Sequence, residues 1–174
     1  HETTIAGDEP TLEAHFFERM APMLDRALAE GRRATWPVVI LHLDFKTNEE
    51  AHHRAVWALL GKYARWLTTA PRVADSQSPQ PFEAGPLLVL TEQGDGQERV
   101  FHDTVPVGQR LRLFGTIPPA TFPSTGNRLA DLRAMAGRPA TTLITSGRTN
   151  YRRWTNHSWA VIETGGQAEA GEWT

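Results

Sequence analysis

Along most of this chain, runs that read as strands alternate with runs that read as helices, and that alternation limits the fold more than any other feature. Thr11 stands as an N-cap ahead of Leu12, Phe16 and Met20, and Met23, Leu24 and Leu28 continue the three- and four-residue rhythm as far as Gly31. Pro22 falls inside this rhythm and predicts a break, with a second helix starting near it. Val38 to Phe45 follows as a buried strand, rich in β-branched and large apolar residues. Thr47 and Glu50 then have capping-box spacing, and Val56, Leu59, Leu60, Tyr63 and Leu67 supply a helical apolar stripe. Residues 68–86 are rich in Pro, Ser and Gln and read as a loop. Leu87 to Leu90 is a second strand, 97–104 a helix, 110–117 a third strand, 127–136 a helix and Trp159 to Glu163 a last strand, while 141–147 fits strand or loop.

Strands that alternate with helices favour parallel neighbours, because a parallel pair needs a long crossover between its members. Two architectures satisfy this, an open doubly wound sheet and a (β/α)8 barrel. No G-x-G-x-x-G follows a strand and no G-x-x-x-x-G-K-[ST] occurs, so nucleotide-binding folds have no fingerprint here. A complete barrel takes eight strands and typically about 250 residues. The chain has 174 residues, so a barrel built from it would be partial. The expectation is therefore an α/β fold: residues 1–174 as a single partial (β/α)8 TIM-type barrel domain, holding about the middle strands only, a fragment of a longer protein.

Composition narrows the partners. Lys and Arg total 18 against 20 Asp and Glu, a balance without the basic excess that duplex nucleic acid or an anionic membrane surface usually meets. No apolar run approaches the roughly 18 residues of a membrane span, so no integral membrane segment is expected. There are no cysteines, which excludes disulfides and thiolate metal sites and leaves the compartment open.

The first strand carries the chemistry. Val39, Leu41, Leu43 and Phe45 share one face, suited to a layer of helices, while Ile40, His42, Asp44 and Lys46 share the other. That second face becomes more polar toward the strand's carboxyl end, where α/β folds gather their active sites. Asp44 is a hard oxygen ligand suited to Mg²⁺ or Ca²⁺, and Lys46 a point charge suited to a phosphate oxygen. The plainer reading of the same pair is a local ion pair leading into a helix. Glu92 and Glu163 also end apolar strands and either line the same mouth as substrate-binding groups or are solvated. His42, one step deeper than Asp44, is placed to orient the carboxylate, to act as an acid or base, or simply to hydrogen-bond within the core, the last being the plainer reading, and His52-His53 reads as surface, since adjacent helical residues diverge by about 100°. Residues 147–159 are basic and aromatic, fit either to clamp an anion or to form a solvated loop with buried tryptophans. G-x-S-x-G is absent, so no nucleophile elbow is present.

The segments "LHLDFKT", "PTLEAHFFERMAPMLDRAL", "GPLLVLT" and "NYRRWTNHSWAVIETGGQ" together resemble bacterial members of the phosphatidylinositol phospholipase C-like phosphodiesterase barrels, relatives of the glycerophosphodiester phosphodiesterases and of the altered-inheritance-of-mitochondria family. The resemblance implies a TIM-type barrel that cleaves a small-molecule or lipid-headgroup phosphodiester with a divalent cation, Ca²⁺ or Mg²⁺, and a histidine acid/base pair. It implies Asp44 as a metal carboxylate, Lys46 as the phosphate-contacting lysine and His1 as the second catalytic histidine. The family's first strand, with its first histidine, and its E-x-D second strand would lie upstream of His1, and its last strands beyond Thr174. The chain alone is therefore expected to have little or no activity, and a secreted or periplasmic location would follow if the parent carries a leader. Two other readings stay open: a barrel that binds a phosphorylated headgroup or polyol without cleaving it, and a sugar-processing barrel enzyme using carboxylates such as Asp44 and Glu92.

Overall fold

The computed structural model describes residues 7–31, 39–92, 94–117 and 149–154, together with Asn127, Ala130 and Arg133. The helix starts where expected, with the Thr11 hydroxyl accepting the Ala14 N–H at 3.2 Å. It opens in a π turn over Glu13–Phe17, in which the Glu18 amide reaches back to the Glu13 carbonyl, and continues as α1, Glu18–Glu30. Pro22 does not break it. Phe17, Leu24 and Ala27 form a buried stripe running past the proline, while Pro22 itself is exposed. Packing of the apolar face outweighs the one backbone donor lost on the solvent side. The helix stops at Gly31, which takes φ 63° and donates its N–H to the Leu28 carbonyl at 3.2 Å.

β1 is Val39–Leu43 and α2 is Glu50–Lys62. The capping box expected at Thr47 and Glu50 does not form: Glu49 occupies the N-cap position without a side-chain cap bond. The Glu50 carboxylate is held by Arg54 Nε at 2.8 Å and by Arg99. A guanidinium binds a carboxylate more strongly than a neutral amide does, so the box loses its acid. Along α2 the buried residues are His53, Val56 and Leu60, three and four apart. His53 is thus a core residue rather than a surface one.

Beyond α2 come β2 (Ala70–Pro71), β3 (Leu87–Thr91), the short α3 (Asp95–Glu98) running into a second π turn (Arg99–Asp103), β4 (Arg110–Leu111), β5 (Phe114–Thr116) and β6 (Arg152–Trp154). β1, β3, β5 and β6 form a four-stranded sheet in that order, every pair parallel, with Val39 opposite Leu87, Leu90 opposite Phe114 and Gly115 opposite Arg152. The sequence-expected strand over 110–117 is in fact two. Arg110–Leu111 pairs antiparallel with β2, inside what read as a loop, and only Phe114–Thr116 enters the main sheet. The basic stretch read as a clamp or solvated loop contributes the strand β6. Ala130 and Arg133 are helical, and the Ala130 N–H donates to Asn127 Oδ1 at 3.1 Å, as the expected helix start requires. The rest of that helix, the stretch 141–147 and the expected strand Trp159–Glu163 lie outside the described residues.

Register places Val39, Leu41, Leu43, Leu87 and Val89 on one face, packed against Phe17, Leu24, Val56, Leu60 and Phe101 of the helical layer. The opposite face carries Leu88, Leu90 and Phe114 against Ala70, Val105 and Leu111. The architecture is mixed α/β around a parallel sheet. No helix among the described residues is long and apolar enough to cross a membrane.

Candidate functional site

Because all four main strands run the same way, their carboxyl ends open at one edge. β1 delivers His42 and then Asp44 and Lys46, β3 delivers Thr91 and Glu92, and β6 ends at Trp154. The Trp154 indole N–H is shared between the Thr91 and Phe114 carbonyls, each at 3.1 Å, so the ring is fixed across the last residue of β3 and the first of β5. Its ring stands edge-on to the His42 imidazole, with centroids 5.0 Å apart and planes at 84°. Thr91 is buried and its hydroxyl lies 2.6 Å from Gln97 Oε1, which ties the end of β3 to α3.

His42 is not in the core. Its side chain is 38% exposed, and Nε2 lies 3.5 Å from Glu92 Oε1. The two residues come together because His42 pairs with Leu90, so that Glu92 projects two residues further along the neighbouring strand on the same face. Asp44 and Lys46 form an ion pair with each other, the plainer of the two readings, with side chains 50% and 81% exposed. A pair this exposed contributes about 0–1 kcal/mol to stability, so it opens at little cost when a ligand competes.

Of the residues expected at the site, the structure therefore places Asp44, Lys46 and Glu92 at the strand ends, Glu92 against His42 and Asp44 against Lys46. His1 and Glu163 lie outside the described residues. Sequence reasoning weighed two participants, His42 as an acid or base and the run holding Trp154 as a clamp, but kept a plainer reading beside each and, for His42, preferred it. The face alternation of β1 already carried the signal for His42.

The site can hold an imidazole against a carboxylate and wall one side with an indole, and the segment after β1 adds the Lys46 ammonium, paired with Asp44. Among the described residues no group of three or more His, Asp or Glu side chains converges, and the carboxylate implied as a metal ligand is engaged by Lys46.

Comparisons with protein-family models, with curated proteins and with solved structures give no match to this chain.

Proposed function

We propose that this chain carries part of the active site of a phosphoric diester hydrolase in a TIM-type barrel, with a small-molecule or lipid-headgroup phosphodiester bound at the carboxyl ends of β1 and β3. The observation that supports it is the meeting of His42 with Glu92 at the strand end after which the chain carries Lys46. Lys46 leaves Asp44 for a non-bridging phosphate oxygen. Glu92 orients the imidazole, and His42, when protonated, hands its proton to the departing alkoxide as the phosphorus–oxygen bond breaks, while a water or neighbouring hydroxyl forms the new bond and releases its own proton to solvent. The Ca²⁺ or Mg²⁺ implied by the resemblance belongs to this proposal as an expectation of the family, and no step above is routed through it. His1, as second histidine, and Glu163, as a further substrate-binding acid, belong to the proposal on the same footing.

A second reading is binding of the phosphorylated headgroup without cleavage, for which the exposed Lys46–Asp44 pair supplies a cation that a phosphate can capture. One experiment addresses both. Glycerophosphoethanolamine is titrated into the 174-residue chain and followed by ³¹P line broadening, and its hydrolysis is measured with EDTA, Mg²⁺ or Ca²⁺. Binding that weakens about tenfold in Lys46→Ala, with little turnover, is the expected result. Cation-dependent turnover lost in His42→Gln would reject the binding-only reading. Binding unaffected by Lys46→Ala, or none at all, removes phosphodiesters as the ligand class.

A further inference from the structure

At the amino end of the sheet, opposite the strand mouth, lies a cavity of about 550 Å³, within the size range of small-molecule sites. Leu67, which bridges to the first residue of β3, forms part of its wall, and the β2–β4 ribbon contributes Arg110 and Thr69 beside it. Three arginines line it: Arg65, Arg110 and Arg112. Two of them are already engaged. Arg65 pairs with Asp25 at 2.8 Å, and Arg110 donates to the Thr69 hydroxyl at 2.6 Å while its Nη2 lies 2.5 Å from Glu83.

Arg112 differs. Its guanidinium lies over the Trp57 ring, 4.5 Å from the centroid, and Nη1 donates to the Trp57 carbonyl at 3.2 Å. No carboxylate pairs with it among the described residues. The seat is shaped to hold it, since a Cβ on Gly61 of α2 would come within 3.0 Å of Nη1. Half-burial of this cation lowers its pKa, with no acid opposing the shift. A partly buried charge without a counter-ion is unfavourable, and a guanidinium's remaining donors match an oxyanion in a planar fork.

We infer that this cavity binds a small organic anion, a carboxylate or phosphate ester attached to a short apolar body, anchored by the Arg112 guanidinium. The apolar body lies along Trp57, Leu67, Val105 and Pro106. The site is separate from the strand mouth and does not depend on the activity proposed there. Glu83 is the acid in the lining, and by holding Arg110 and repelling an anion it limits affinity.

The test is calorimetric titration of phenyl phosphate, benzoate and inorganic phosphate at low salt, with the Trp57 indole resonance followed by NMR. Saturable binding of phenyl phosphate or benzoate with a shift at Trp57 is expected, and which of the two binds tighter identifies the head group. R112Q weakens that binding at least about tenfold, as loss of a charge-assisted hydrogen bond requires, and E83Q tightens it several-fold. D44N, at the far end, leaves it unchanged. Failure of both organic probes to bind overturns the inference, as does equal binding by folded R112Q. Should R112Q fail to fold, E83Q decides, because the Glu83 side chain is 65% exposed and its replacement spares the fold; unchanged affinity in E83Q would then overturn the site. Inorganic phosphate binding as tightly as phenyl phosphate would overturn the apolar part of the ligand.

Discussion

Gly115 is closely covered in the sheet that carries the candidate site, and replacing it by alanine gives a quantitative test. It lies in β5 between β3 and β6, and its N–H donates to the Tyr151 carbonyl at 3.2 Å. An added Cβ would come within 2.5 Å of Tyr151 Cε1 and 2.9 Å of Cζ. Carbon atoms pack comfortably at about 3.5–4.0 Å, so the overlap is about 1 Å. The tyrosine is 2% exposed, so its ring cannot turn away without repacking its neighbours. Relief must come from the strands themselves, which puts the cost near the top of the overpacking range, about 3 kcal/mol. For a chain of this length that lowers the melting temperature by about 6–12 °C. Urea unfolding followed by far-ultraviolet circular dichroism would show a lower midpoint with an unchanged slope. The decisive measurement is the cycle with Y151A. Once the ring is removed, G115A should cost less than about 1 kcal/mol, giving a coupling of at least about 2 kcal/mol. Effects that add within about 0.5 kcal/mol would refute the contact as the cause.

Two further outcomes follow from buried groups. Burial holds the imidazoles of His53 and His102 below their ordinary value of 6.5, so between the two values the unfolded chain binds more protons than the folded one. Stability is complete above about pH 6.5 and falls as the solution is acidified, and His53→Leu should flatten that decline when urea midpoints at pH 7.5 and 5 are compared; an unaltered decline would exclude His53 as its source. Arg152 reaches Glu98 at 2.6 Å with both side chains largely buried, so R152M should cost about 3 kcal/mol and the double variant E98L/R152M should recover most of it. A loss in R152M of less than about 0.5 kcal/mol in the same urea assay would show that the pair is better solvated than its burial implies.

The readable parts of the sequence were those whose own pattern decided their structure. Val39–Leu43 and Leu87–Thr91 are apolar runs bounded by turn residues, and α1 stops at the glycine that permits its last turn. The unreadable parts were settled by distant partners. Arg152–Trp154 has no strand pattern of its own; it is a strand because Gly115 pairs with it, Glu98 neutralises Arg152 and two carbonyls fix Trp154. Glu50 was drawn from its cap by Arg99, 49 positions away. The strand-end location of Asp44, Lys46 and Glu92 followed from chain direction alone. Their actual partners depended on register, which brings Glu92 to His42 and leaves Asp44 with Lys46.

The order of the parallel sheet also has a kinetic meaning. β1, β3, β5 and β6 lie side by side in the order in which they are synthesised, and none is inserted between two earlier ones. Each strand after β1 therefore leaves the ribosome after a neighbour it pairs with, and the entropic cost of closing a longer connecting loop rises only slowly with length. Among these four strands the indole that completes the candidate mouth therefore stands on the one synthesised last.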